Sequence, residues 1–463
     1  MDKTNGTSII MLTHNNLSMT QLCINSILQF TDVPYEIIVV DNNSTDGTVP
    51  WLKSLNHIKL ILNDKDEGVP KGRNQGIEAA DKNNDILLLN SDVCVTKNWL
   101  RNMQLALYSE TTVGAVSCVS NISSYLQAIA TNYTTLEEMH AFAEKINISN
   151  LNSWDERIML LGFCMLIKRS TLDKVGLFDE IFTPGGFEDD DYSYRVRLEG
   201  YKLLLCRDTF VHQDASSTFK TVYTPEESIV IWHANKQKFI EKWGFDSNYS
   251  RLIRFEMLEL LEMANVKPSR VLEVGCGCGA TLLEIKSQYK GVSLHGVELS
   301  QMPAKIASGF AEIHTQDVET MDFGYPDDYF DCIIFGDVLE HLRDPWGLLQ
   351  RIKKHLSPDG VVLASLPNIM HYSILHNLIN GKWDYTDAGI LDRTHLRFFT
   401  LDSIISMFHN AGYEFLKIST TTSDNPAEHS QVEAFIKYLT QIALSDKSNQ
   451  YKAFQYILSA KKR

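Results

Sequence analysis

The sequence predicts an α/β protein made of two parallel-sheet domains, and three observations carry that expectation. The run Arg270-Val271-Leu272-Glu273-Val274-Gly275-Cys276-Gly277-Cys278-Gly279 is a short apolar stretch ending in alternate glycines, followed by a helix-like segment from Ala280 to Tyr289. Strand, tight turn and helix in that order form the entry unit of a nucleotide-binding domain. In the first half, apolar runs end in polar, Asp-bearing loops, as parallel strands do where a ligand meets their C-terminal edge. Finally, 463 residues exceed one core, and about 150 residues per domain suggests two or three. The expected division is 1–247 and 248–463.

Composition narrows the function classes. A net charge of −15 argues against a general nucleic-acid or anionic-membrane binder, while leaving room for a local basic site. No secretory apolar segment follows Met1, and no apolar run approaches the ~20 residues of a membrane span. The eight cysteines are scattered, several in expected strands (Cys164, Cys206, Cys332), which fits buried thiols and a cytoplasmic location. Cys276-x-Cys278 read as half of a zinc site lacks a second Cys/His pair at suitable spacing.

In the first half, Ser8–Thr13 reads as a buried strand and Ser18–Phe30 as a helix with Leu22, Cys23, Ile27 and Phe30 inward. Tyr35–Val40 is the second strand, ending on Asp41-Asn42-Asn43-Ser44-Thr45-Asp46-Gly47. An Asp at that edge can accept a base imide N–H; the plainer reading is a capping loop. Ile58–Leu62 is the third strand. The stretch Asp66 to Gly76, with Lys71 and Arg73 among glycines, suggests a loop closing over a diphosphate. Asp85–Leu89 is the fourth strand, and Asp92 just beyond it can hold a divalent cation. Met159–Lys168 reads as a further strand. The Pro184-Gly185-Gly186 loop then delivers Glu188, Asp189, Asp190 and Asp191 to a helix start, more acids than capping needs. Tyr201–Leu205 and Phe210-Val211 read as two short strands, followed by His212, Ser216 and Ser217.

These pieces, in order, resemble the family 2 glycosyltransferases of the GT-A fold, especially their rhamnosyltransferase-like branch. The resemblance runs from Ser8 to about Gly244. It rests on Val40-Asp41-Asn42-x-Ser44-x-Asp46-Gly47, Gly68 through Arg73-Asn74-x-Gly76, Leu89-Asn90-Ser91-Asp92, Glu188-Asp189-x-Asp191-x-x-x-Arg195 and His212-x-x-x-Ser216. It implies inverting transfer from a UDP- or dTDP-sugar to a glycan, glycolipid or glycoprotein hydroxyl. Thr13, Asp41, Asn43, Asp46, Lys71, Arg73, Asn74, Ser91 and Ser216 would bind the nucleotide sugar. Asp92 and His212 would hold Mg²⁺ or Mn²⁺, and Asp189, with Glu188 beside it, would deprotonate the acceptor. Asn90 stands where the family's metal motif has Asp, which leaves fewer anionic ligands.

Helices over Glu226–Trp243 (Ile229, Trp232, Phe239 and Ile240 inward) and Arg251–Ala264 are expected to join the halves. Beyond the glycine turn, Gly291–Gly296 leads into Glu298, about the ~20 residues on at which a ribose diol meets its carboxylate. Asp317 follows the third strand, Asp331–Phe335 is the fourth and Gly360–Leu366 the fifth. With Gly336-Asp337 and Leu339-Glu340-His341, this half resembles the class I S-adenosylmethionine-dependent methyltransferases, a Rossmann-like fold, throughout 250–463. The resemblance implies that Glu273, Gly275, Gly277 and Gly279 cradle the methionine part. Glu298 would bind the ribose, Asp317 and Val318 the adenine, and Asp337 the methyl end. A nicotinamide-binding reading of the glycines does not account for Asp317 or Leu339-Glu340-His341. A sugar hydroxyl benefits from a base, for which His341 and His395 are the candidates. Trp383–Phe399 reads as an acceptor-binding lid, Gln431–Leu444 as a helical insertion, and Phe454–Ala460 as an antiparallel edge strand.

The combined expectation is a bifunctional glycosyltransferase–methyltransferase of glycan biosynthesis. Its rivals are a chain with one catalytic domain and one binding or scaffold module, and a methyltransferase directed at protein. Sugar, linkage and oligomeric state are not specified by the sequence.

Overall fold

A computed structural model describes residues 5–214, 223–422, 429–443 and 445–463, without side chains for 429–431. The chain divides between Tyr249 and Ser250 into two compact units.

The first unit is built on an eight-stranded sheet of order β3-β2-β1-β4-β8-β6-β9-β7. The strands are β1 (Thr7–Thr13), β2 (Tyr35–Asp41), β3 (Ile58–Leu62), β4 (Asp85–Asn90), β6 (Val113–Val119), β7 (Trp154–Arg157), β8 (Cys164–Ile167) and β9 (Lys202–Phe210). Val93–Cys94 (β5) pairs separately with His212–Gln213 (β10). β1, β2 and β4 are parallel and almost wholly buried, which is why they read as unbroken apolar runs. Two buried clusters cover the faces, one around Ile9, Val39, Trp99 and Met103, the other around Ile10, Ile38, Ile77 and Leu88.

Several expectations need correction here. Only Cys164–Ile167 of the Met159–Lys168 stretch is strand, because Gly162 and Phe163 turn the chain. Tyr201–Leu205 and Phe210-Val211 are not two strands; Lys202–Phe210 is continuous and pairs with both β6 and β7. The Lys71 and Arg73 segment is not a loop. After Gly68 (φ 78°) a helix runs over Val69–Ala79, with Pro70 in its first turn, where no amide partner is needed. On the helix Pro225–Trp243, Phe239 is buried but Ile229 and Trp232 are exposed.

The second unit holds a seven-stranded sheet of order β13-β12-β11-β14-β15-β17-β16. Its strands are β11 (Arg270–Val274), β12 (Ser293–Val297), β13 (Glu312–His314), β14 (Phe330–Gly336), β15 (Leu356–Pro367), β16 (Tyr413–Thr421) and β17 (Gln455–Lys462). The sheet is parallel as far as β15. The last strand is antiparallel as expected, but it is not the edge. β17 inserts between β15 and β16, and Tyr413–Thr421 takes the outside position. Trp383–Phe399 contains no helix or strand, only the isolated bridges Thr386–Asp392 and Asn368–Phe399. Among the described residues no helix is long and apolar enough to cross a membrane.

Candidate active sites

In each unit the strand order reverses beside the first strand, at β1/β4 and at β11/β14, and a cavity opens at the C-terminal ends there. A crevice at such a switch point is where open α/β sheets bind ligands.

The first cavity, about 130 Å³, is lined among others by Thr13, His14, Asn42, Arg73, Ser91 and Tyr223. Sheet register sets Asp41 beside Thr13. Asp41 is buried; its Oδ1 accepts the Ser44 N–H at 2.9 Å, and Oδ2 has no partner. Ser91 Oγ and Asp92 Oδ1 are also buried without partners. Burial, with Asp214 nearby, pushes the Asp92 carboxyl up to about 6, against a bond from Gln213. The β5–β10 ladder brings His212 opposite Cys94, two residues past Asp92. The His212 Nδ1 meets the Tyr133 hydroxyl at 2.6 Å, and burial lowers the imidazole's pKa.

The four acids at the helix start (Glu188–Leu198) split into two pairs. Asp189 Oδ1 takes an N–H from Arg73 at 2.7 Å and Oδ2 takes the Gly162 amide at 2.8 Å. Glu188 accepts the Gly186 amide at 2.5 Å and a longer bond from Arg73 at 3.4 Å. Burial, then the neighbouring Asp189, raises Glu188 to about 7 despite Arg73. Asp191 instead takes the Arg195 Nε at 2.8 Å and the Trp243 indole N–H at 3.0 Å, anchoring two helices.

Other named residues make contacts within the chain. Asp46 accepts the Leu17 amide and the Thr48 hydroxyl, bracing the loop to which Asn43 (φ 65°) gives its turn. Asn74 pins Phe178 through both backbone groups. Lys71 pairs with Glu67 at 2.8 Å, away from the cavity lining. Ser216 and Ser217 lie outside the described residues.

The second cavity, about 500 Å³, brings together Gly275, Glu298, Asp317, Val318, Asp337 and His341. Glu298 takes the Gly277 amide on Oε2 and the Ser300 amide on Oε1, both at 2.8 Å. Gly275, Gly277 and Gly279 all have positive φ, a backbone only glycine adopts cheaply. Glu273 lies beneath them, buried, with Oε2 unpartnered. Burial raises it to about 8, against Arg254 and Thr281. Asp337 is bound by Arg254 and by the Ser365 hydroxyl, each at 2.5 Å, and by Gln455. The His341 and His395 rings stand 4.7 Å apart. Burial, then His395, lowers the pKa of His341.

Sequence reasoning missed Arg254, Tyr133 and His14. Each is a single residue on a helix start or loop, and only the tertiary fold gives it a partner.

Residues 8–176 match the family described as "Glycosyl transferase family 2" and residues 245–418 the one described as "Methyltransferase domain". The chain therefore carries a GT-A family 2 glycosyltransferase domain followed by a Rossmann-like methyltransferase domain. Phosphoethanolamine N-methyltransferase 2 of Caenorhabditis elegans is 27% identical over 167 residues, 33% of this chain and 36% of that protein. The malonyl-[acyl-carrier protein] O-methyltransferase of Geobacter sulfurreducens is 25% identical over 196 residues, 42% of this chain and 72% of that one. The chain thus spans about a third of the nematode protein's length. A mannosyltransferase from Pyrobaculum calidifontis, solved with GDP-Man and Mn²⁺, aligns at 19% identity and TM-score 0.35, covering 50% of this chain and 69% of that one.

Proposed function

We propose that the protein is bifunctional. Its first domain would transfer a sugar, with inversion, from a UDP- or dTDP-sugar to an acceptor hydroxyl. Its second would methylate a sugar hydroxyl from S-adenosylmethionine during assembly of a surface or protein-linked glycan. The observation that carries this reading is a cavity at the strand reversal of each unit. The first is lined by Asn42 and Ser91, the chain neighbours of Asp41 and Asp92 with their buried, unpartnered oxygens, and the second by the carboxylates of Glu298, Asp317 and Asp337.

In the first domain, Asp41 Oδ2 is the acceptor for a base imide, next to Asn42 of the cavity lining, and Thr13 and Ser91 line that cavity. Asp92 Oδ1, buried and unpartnered, fits a divalent cation, with His212 as second ligand. Such an ion, when bound, would neutralise charge on the departing diphosphate. Asp189, held toward Arg73 and Gly162, is the base for the acceptor proton, with Glu188 behind it.

In the second domain, the Gly275–Gly279 turn gives the backbone a close approach to the methionine part. Glu298 takes the ribose diol, and Asp317 and Val318 flank the adenine. The sulfonium supplies an activated methyl group, so the protein's task is mainly alignment.

Thermal unfolding of the full chain tests both halves, since a ligand of the folded state raises its melting temperature. UDP- or dTDP-sugars with Mn²⁺ are expected to raise one transition, and S-adenosylmethionine to do so without metal. Asp92→Ala is expected to abolish metal-stimulated nucleotide release and leave S-adenosylmethionine binding intact. Absence of any shift with nucleotide sugars plus Mn²⁺ would remove the first half of the proposal, and absence with S-adenosylmethionine the second.

A further inference from the structure

We propose that Glu340, His341 and His395 bind a divalent transition-metal ion at the rim of the second cavity. This rests on the methyltransferase reading and deepens it, because the ion would face the acceptor.

One ligand atom from each of the three residues lies within 4.8 Å of the others. Ligands of a single ion at about 2.0–2.2 Å stand about this far apart after small adjustments. Glu340 is 1% exposed and its Oε2 has no partner, although an orphaned buried carboxylate oxygen is costly. The chain also builds the site deliberately. The Glu340 carbonyl accepts the amides of Leu396 and Arg397 at 2.8 and 2.9 Å, clamping the segment that carries His395. His341 Nδ1 faces the Thr394 hydroxyl at 3.1 Å and its carbonyl at 3.3 Å, and His395 Nδ1 faces the Ile390 carbonyl at 3.0 Å. Donation from Nδ1 to a carbonyl fixes the tautomer that leaves Nε2 as a ligand atom, the usual outer support of a metal-bound imidazole.

The surrounding charges are otherwise engaged. Arg254 pairs with Asp337, and Asp392 Oδ1 is bonded by the Thr394 amide and hydroxyl. Two imidazoles and a carboxylate select Mn²⁺, Fe²⁺, Co²⁺ or Zn²⁺ over the all-oxygen preference of Mg²⁺ and Ca²⁺. Three protein ligands leave positions open, and His341 and Leu396 line the cavity. The ligand class for those positions is an acceptor with neighbouring hydroxyl oxygens, as in a sugar diol.

The test uses the full chain carrying Asp92→Ala, stripped with chelator and titrated with Co²⁺ as a spectroscopic probe. The expected result is one Co²⁺ per chain with visible absorption characteristic of nitrogen ligation. Glu340→Gln and His395→Gln, each with native near-ultraviolet circular dichroism, should weaken that binding at least tenfold. His341→Gln should remove the absorption. No Co²⁺ uptake, or equal uptake in the Glu340→Gln and His395→Gln chains, overturns the metal site. Failure of the metal-free parent to bind S-adenosylmethionine overturns instead the methyltransferase reading beneath it.

Discussion

Arg73 and Asp189 are 116 residues apart in the chain and joined by a 2.7 Å ion pair, with Glu188 sharing the same guanidinium at 3.4 Å. One buried cation thus holds two adjacent carboxylates, and its other nitrogen reaches the Gly162 carbonyl at 3.2 Å. Removing one partner of a buried pair strands the rest, which costs about 3–5 kcal/mol. Arg73→Ala should therefore destabilise the first unit by that amount in urea titrations. Arg73→Lys should cost less, because it keeps the charge while losing the fork that serves three groups.

Asp189→Asn keeps the shape of the turn and an acceptor for the Gly162 amide. It should fold and bind nucleotide sugar, yet transfer should fall by about 10²–10⁴, the usual contribution of a general base. Glu188→Gln should lose far less. Nucleotide release with a hydroxyl acceptor reads both, and the reverse ranking would assign the base to Glu188.

The stretch that misled sequence reading shows what such reading lacks. Glycines, Pro70, Lys71 and Arg73 close together signal a phosphate loop locally, yet the segment is a helix that starts after Gly68 and carries Gly72 and Gly76 four residues apart. Gly72 and Gly76 let that helix approach Leu12 and Ile10 of β1, a tertiary fact. The buried parallel strands were legible because both faces are apolar. The insertion of β17 inside β16 was not, since pairing order leaves no mark on either strand. The grouping of Glu298, Asp317 and Asp337 around one cavity was legible because these residues follow strand ends. The meeting of His341 with His395 depends on an irregular segment that local pattern does not describe.

That helix supplies a graded test. A Cβ on Gly76 would lie 2.3 Å from Ile10 Cγ2, a stiff β-branched carbon that is 2% exposed. On Gly72 it would meet Leu12 Cδ1 at 2.4 Å, the far end of a flexible chain. Alanine gains about 1 kcal/mol over glycine in a helix, while overpacking a core costs about 1–3 kcal/mol. Gly76→Ala should be net destabilising and Gly72→Ala close to neutral. Urea midpoints decide the order.

Glu273 sets a pH dependence. Its folded pKa, about 8, lies above the value of a free carboxyl, so the folded state binds the extra proton between about 4.5 and 8. Its contribution is present in full below the unfolded pKa and is lost as pH rises through 8. The slope is at most about 1.4 kcal/mol per pH unit. Glu340, whose carboxyl is also raised by burial and then by Asp337, acts in the same direction. Glu273→Gln should flatten the fall in stability between pH 5 and 8.5, and an unchanged slope would remove Glu273 as its source.

Glu298 joins the glycine turn to the proposed ribose site, so its two roles have to be separated. Its oxygens already take the amides of Gly277 and Ser300, and the carboxylate still borders the cavity. Charge-assisted bonds to a ribose diol are worth roughly 1.5–3 kcal/mol each, so Glu298→Ala should weaken S-adenosylmethionine binding at least ~10-fold. Loss of the turn alone would also weaken binding, and a double-mutant cycle removes that ambiguity. A cofactor analogue lacking both ribose hydroxyls should bind the parent chain poorly, and Glu298→Ala no worse than the complete cofactor does. Glu298→Gln should behave nearly as badly as alanine, because its NH₂ must point at one of two amide donors. If calorimetry shows the same loss on removing the hydroxyls with and without Glu298, the carboxylate supports the turn and does not hold the ribose.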